Sequence, residues 1–179
     1  AFQVLSEGHN ITLNDISKKR IRRLKENLLR LNFSTKVNNY NGLNFPQNKK
    51  FDIILLDAPC SAIGTIRSNP EIFFKSRAPD IKSLNMTQLE LLKKCSMLLK
   101  KEGSIIYMVC SFFFSETLGI INKFLKNNKN YSILKYNLIN KDIKINNFIY
   151  KNKYFLTMPT IYKNYKIDGF FSIQLIKND

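Results

Sequence analysis

Two of the three cysteines in this 179-residue chain stand in the same local setting. Cys60 follows Asp57-Ala58-Pro59 and precedes Ser61; Cys110 follows Met108-Val109 and precedes Ser111. Each thiol comes just past an apolar run, 51–56 for the first and 104–109 for the second. A free cysteine away from positive charge is usually inert packing, and Cys95, sharing a helical face with Leu92 and Leu99, reads that way. Cys60 and Cys110 differ. At strand exits, near Arg67 and in a basic chain, a thiol can ionise and reach a ligand. A thiolate beside a carboxylate suits one reaction in particular. Carbon 5 of a pyrimidine is a poor nucleophile, but adding a thiolate to carbon 6 makes the ring an enamine that can attack an electrophilic methyl group. Such covalent catalysis divides one hard step into easier ones. A second thiol can then assist either removal of the C5 proton or expulsion of the first thiol.

The elements that must hold these residues alternate strand and helix. Asn10 to Asp15 reads as a short strand, and Ser17 can cap the helix that follows, in which Ile21, Leu24, Leu28 and Leu31 recur at helical spacing between Lys and Arg. The stretch 35–40 is a second, weaker strand. Phe51 to Asp57 is a third, apolar on both faces, as where helices cover a parallel sheet. After a loop from Ala58 to about Ser83 come a helix through 86–100 and a fourth buried strand over 103–111, with Gly103 as the helix C-cap. A helix over about 115–126 follows, with Leu118, Ile121 and Phe124/Leu125 on its apolar side. The rest is rich in Asn and Lys, with strands near 131–136 and at 169–177 and surface loops at 127–131 and 140–147. This order predicts an open α/β sheet, and such sheets bind ligands at the carboxyl ends of their strands. Asp15, Asp57 and Cys110 each end a predicted strand and would line one crevice. The competing reading is that they are plain turn formers.

Length and composition fit one ordinary domain with a real core. The longest strongly strand-like apolar run, 51–56, is far too short to span a bilayer. An odd number of cysteines without a secretion signal points to reduced thiols, a cytoplasmic setting and no membrane partner. One His and no close Cys/His cluster give no reason to expect a metal site. With 29 Lys+Arg against 13 Asp+Glu, the net charge of +16 would attract a polyanion such as RNA or DNA. The abundance of Asn, Ile, Phe and Tyr alongside Lys offers a second origin for that charge, AT-rich coding. Arg67, just after the Cys60 turn, is the first candidate for a phosphate contact, because a guanidinium suits a phosphate fork.

The segments "LLDAPCSAIGTIRSNPEI" and "GSIIYMVCSF", their cysteines 50 positions apart, resemble motifs IV and VI of the RNA (cytosine-5)-methyltransferases, the RsmB/Nop/Sun group. "NDISKKRIRRLKENLLRLN" resembles that family's second strand and following helix, and "DGFFSIQLIK" its terminal strand. The likeness is closest to the bacterial RsmB-like enzymes that methylate small-subunit ribosomal RNA, and it weakens between about Lys129 and Ile167.

The resemblance implies an α/β, Rossmann-like S-adenosylmethionine-dependent methyltransferase fold, mostly parallel with helices on both faces. It implies S-adenosyl-L-methionine as cofactor and ribosomal RNA as partner. Cys110 matches the nucleophile that adds to cytosine C6, and Cys60 the second cysteine that resolves the adduct. Asp15 matches the acid that binds the cofactor ribose, as an acid ending a second strand also suggests. Asp57 matches the motif IV carboxylate between cofactor and target base. Asn41 falls where the family usually has Asp near the adenine; it offers a carbonyl acceptor without the charge. The family's glycine-rich cofactor loop and first strand would lie before Ala1, so residues 1–179 are expected to be a partial catalytic domain, monomeric, that alone binds S-adenosylmethionine poorly and transfers no methyl group. Two rivals remain: a DNA cytosine methyltransferase, disfavoured by the absence of Pro-Cys-Gln and by the second strand-end cysteine, and a non-catalytic RNA-binding module of the same fold.

Overall fold

The computed structural model describes residues 2–74, 79–135, 148–151, 153–162 and 164–178. The chain divides into two compact units, Ala1–Pro46 and Gln47–Asp179.

The first unit opens with a short helix, α1 (Phe2–Ser6), and is built around a strand-helix-strand turn. Strand β1 (Thr12–Asn14) pairs in parallel with β2 (Lys36–Asn38), Leu13 opposite Val37, and helix α2 (Lys18–Arg30) makes the crossover. Ser17 caps α2 as the sequence predicts, its side chain accepting from the Arg20 N–H. The other end closes as a Schellman motif: Phe33 N–H bonds the Leu28 carbonyl and Asn32 N–H that of Leu29. Asn32 takes the left-handed turn at φ +55°, a conformation that asparagine tolerates. Ile21 and Leu28 are buried, while Leu31, expected on that apolar face, is largely exposed at the C-cap.

The second unit holds a six-stranded sheet in the order β3 (Phe51–Asp57), β4 (Leu99–Val109), β10 (Phe170–Lys177), β7 (Tyr154–Thr157) and β6 (Phe148–Lys151), with β5 (Tyr131–Ile133) also on β10. β8 (Thr160–Tyr162) and β9 (Tyr165–Ile167) form a separate hairpin. The sheet is mixed. β3 and β4 are parallel, but β10 runs antiparallel to β4, β5 and β7, so the mostly parallel sheet expected from sequence is confined to the two parallel pairs. The core lies where β4 and β10 face each other in register: Ile105, Tyr107 and Val109 stand opposite Leu175, Ile173 and Phe171, and all are fully buried. Cross-strand apolar pairs of this kind are the stabilising unit of a sheet.

Helices α3 (Ile81–Leu98) and α4 (Leu118–Asn127) cover that face with Leu92, Cys95, Ile120, Ile121 and Phe124. The expected packing role of Cys95 thus holds, and burial pushes its thiol up to about 12. Within this unit both helices serve one face; on the other, Ile53 and Leu55 of β3 are 56% and 43% exposed. The junction of α3 and β4 also differs from expectation. The strand starts at Leu99, directly after the helix, and Glu102 adopts the left-handed conformation at φ +57°. Gly103 instead gives a close approach, since a Cβ there would lie 3.0 Å from the Asp52 carbonyl, a tight contact. The loop expected at 140–147 lies outside the described residues. Among the described residues no helix is long and apolar enough to cross a membrane.

Candidate active site

The apolar run of β3 ends at Asp57, whose Cα partner on β4 is Met108; the next peptide stays on the strand through an Ala58 N–H bond of 3.0 Å to the Met108 carbonyl. Two residues later comes Cys60, and Cys110 lies one residue past the end of β4. Adjacent parallel strands therefore deliver both thiols to the same end of the sheet. The Sγ atoms are 3.4 Å apart. That is well beyond the ~2.05 Å of a disulfide and within reach of a sulfur hydrogen bond, and both cysteines are free and half-buried.

The loop after Cys60 folds tightly onto the Cys110 turn. Ala62 holds a left-handed backbone at φ +59°, and a 3-10 turn over Ile63–Thr65 follows. Gly64 N–H then donates to the Cys110 carbonyl at 3.0 Å, and Gly169 N–H to the Gly64 carbonyl at 2.7 Å. A Cβ on Gly64 would meet the Gly169 oxygen at 2.1 Å and the Cys110 oxygen at 2.9 Å, so only glycine fits.

The electrostatics make the thiols unequal. A hydrogen bond from the Cys60 thiol pulls Cys110 down to about 7, against burial and the charges of Asp57 and Glu116. The same bond first, and burial second, push Cys60 far above the ordinary thiol range. The pair therefore favours the anion at Cys110 and the proton at Cys60.

The other expected residues are placed as follows. Asp15 comes directly after β1; its Oδ1 accepts the Ser17 N–H at 2.7 Å and its Oδ2 the Arg20 Nε at 2.8 Å. Partial burial raises its pKa, but Arg20 and the Ser17 N–H outweigh that, and the net shift is downward. Asn41 caps the 3-10 turn Gly42–Asn44 with its side-chain oxygen on the Leu43 N–H at 3.1 Å, so the acceptor expected to face an adenine has a local task. Arg67, expected to meet phosphate, has a side chain only 28% exposed whose Nη2 pairs with Asp168 at 2.9 Å, and Ser68 donates to the same carboxylate. This pair ties the Cys60 loop to the start of β10. The sequence passed over Glu116, a fully buried carboxylate between the two cysteine turns. An isolated acid within an apolar stretch, "FFFSETLGII", was the available signal.

Parallel strands with a reactive pair at their carboxyl ends, followed by an antiparallel final strand, define a Rossmann-like methyltransferase domain of the kind that uses S-adenosylmethionine. The chain belongs to the 16S rRNA methyltransferase RsmB/F family, whose model matches residues 2–176. It is 44% identical over 115 residues to ribosomal RNA small subunit methyltransferase B of Photorhabdus laumondii, covering 63% of this chain and 27% of that protein. The protein of the same name in Proteus mirabilis is 38% identical over 128 residues, covering 69% of this chain and 30% of its own length. The chain thus spans under a third of the length of these relatives. Among solved structures, NSun6 from Pyrococcus horikoshii with SFG superposes with a TM-score of 0.78 at 25% identity, over 99% of this chain and 44% of that one. A methyltransferase homolog from the same organism gives 0.72 at 25% identity, over 94% and 53%.

Asp15 fits the ribose end of such a cofactor. Each carboxylate oxygen carries one named partner and can accept a further hydroxyl, and a hollow of about 310 Å³ opens beside it between Phe2, Arg20, Arg23, Leu24 and Asn27.

Proposed function

We propose that the protein methylates carbon 5 of cytosine in small-subunit ribosomal RNA through a covalent bond between Cys110 and carbon 6. The observation that carries this is the 3.4 Å thiol pair, in which the neighbouring Cys60 lowers the Cys110 pKa to about 7. A nucleophile poised at the working pH is what addition to C6 requires, and a lone packing cysteine would show the opposite shift, as Cys95 does.

Cys110 Sγ bonds carbon 6, and the ring electrons move to carbon 5. S-adenosylmethionine, when bound, would supply the electrophilic methyl group, with Asp15 as the residue proposed for its ribose and Asp57 as the motif IV carboxylate. The target base must leave any stack to reach the thiolate. Once carbon 5 carries the methyl group, a solvent water takes its proton, the C–H electron pair restores the 5,6 double bond, and Cys110 leaves carbon 6 as a thiolate. The Cys60 S–H, within hydrogen-bond reach of Cys110 Sγ, stabilises that departing charge. Of the two roles open to the second thiol, expulsion is the one this hydrogen bond serves.

The test uses the full-length gene product and 16S rRNA. Cys110→Ser is expected to lose nearly all methyl transfer, because a hydroxyl does not ionise near neutral pH. Cys60→Ala is expected to transfer the methyl group and then stall, giving an RNA-linked protein band on a denaturing gel. Wild-type turnover by Cys110→Ser, or no linked band from a Cys60→Ala enzyme that methylates, would overturn this assignment.

A further inference from the structure

Glu116 is 0% exposed, and its carboxylate is surrounded by donors. Oε1 accepts the Ser61 N–H at 2.8 Å and the Gln88 side-chain amide at 3.3 Å; Oε2 accepts the hydroxyls of Ser61 and Ser111, each at 2.6 Å. The three bonds from Ser61 and Ser111 are short and the Gln88 contact is longer. Every partner adjoins one of the thiols. Ser61 follows Cys60, Ser111 follows Cys110, and Gln88 also donates to the carbonyl of Pro59, just before Cys60, at 2.9 Å.

The two serines pass the restraint on to the backbone. Ser111 Oγ accepts the Phe113 N–H at 3.2 Å and Ser61 Oγ the Ile63 N–H at 3.4 Å, so each hydroxyl locks the turn that carries its cysteine. Glu116 itself is fixed from behind by β4, where the Tyr107 hydroxyl donates to its carbonyl at 2.8 Å. With no exposure and both oxygens engaged, it cannot touch a substrate. A buried carboxylate is also a costly way to fill a core, and the catalytic steps above make no use of it.

We propose that Glu116 is a positioning residue that joins the two Cys-Ser turns, through Ser61 and Ser111, and thereby holds the sulfurs of Cys60 and Cys110 within bonding distance. This deepens the reading of the two thiols as a working pair and rests on it. It also gives a reason for serine after each cysteine: the hydroxyl is the handle by which one carboxylate grips both turns.

A trivalent arsenical tests the geometry without RNA or cofactor. Phenylarsine oxide forms two As–S bonds to a close thiol pair, its oxygen leaving with both thiol protons as water. The wild-type protein is expected to bind one equivalent, lost in Cys60→Ala and in Cys110→Ala. Glu116→Gln, which sets an amide donor against donors, is expected to bind at least about tenfold more weakly, the scale of one such bond. The measurement is made well below the variant's melting temperature. A role in stability alone would lower that temperature and leave arsenical affinity unchanged, and wild-type affinity in a folded Glu116→Gln would overturn the proposal. If Glu116→Gln does not fold, Ser61→Ala and Ser111→Ala each remove one arm and are expected to weaken binding several-fold; wild-type affinity in both would equally overturn it. Because methyl transfer is read separately through Cys110→Ser, either conclusion can fail without the other.

Discussion

Cys60 and Cys110 are the same chemical group at the same end of neighbouring strands, and one S–H bond makes them different reagents. The bond stabilises the anion at Cys110 and the proton at Cys60, so their titrations move in opposite directions. Alkylation with iodoacetamide, followed by mass spectrometry across pH, separates them. Cys110 is expected to react with a midpoint near 7, as the shift to about 7 requires, and Cys60 and Cys95 to stay slow well above that. In Cys60→Ala the partner is gone while burial and the charges of Asp57 and Glu116 remain, and the Cys110 midpoint should rise to the ordinary thiol value of about 8.5 or above it. An unchanged midpoint in that variant would show that Cys110 owes its acidity to something other than its neighbour.

At the scale of elements, the pair exists because three turns are packed on one another. The β3 exit carries Cys60, the β4 exit carries Cys110, and the start of β10 carries Gly169, with Gly64 pressed between the last two. Gly64→Ala should therefore cost about 1–3 kcal/mol by overpacking, more than a surface change, because the nearest atoms are backbone. Its melting temperature and its arsenical binding should both fall; wild-type values for both would mean that the turns give way freely. How far this site is legible in sequence follows from separation along the chain. Asp57, Cys60, Cys110 and their serines form short local patterns at the ends of apolar runs, and strand-end geometry brings them together without further information. Glu116 reaches Ser61 across 55 residues, and Asp168 reaches Arg67 across 101, so neither link has a local signature. For that reason the sequence alone marks neither Glu116 as part of the site nor Arg67 as already paired. The strands between 148 and 167 are hidden differently: in an Asn- and Lys-rich stretch, composition obscures the period-two alternation on which strand prediction depends, whereas the apolar run at 169–177 shows its strand plainly.

For the whole molecule the decisive quantity is charge, +16 in 179 residues, and the structure shows where part of it is concentrated. Helix α2 carries seven Lys and Arg residues, all exposed, against a single Glu. Lys18 and Lys19 occupy its first turn, which contains no acid. The N-terminal end of a helix dipole disfavours cations, so folding alone gives no reason for lysines there. A polyanion partner does, because such cations displace counterions from its phosphates. Replacing Lys18, Lys19 and Lys25 by Gln should leave the fold intact or slightly more stable, since unfavourable dipole contacts are removed. If these lysines meet RNA, the triple variant should flatten the dependence of log K on log salt by about 2, each lost phosphate contact removing about 0.7 for single-stranded RNA. Binding titrations of the full-length gene product over a range of salt would measure it. The Arg67 pair with Asp168 predicts a contrasting result: Arg67→Ala should loosen the Cys60 loop and lower methyl transfer, with little change in salt slope. An unchanged slope in the lysine variant would move the RNA surface off α2, and affinity that ignores salt altogether would leave the charge a product of composition.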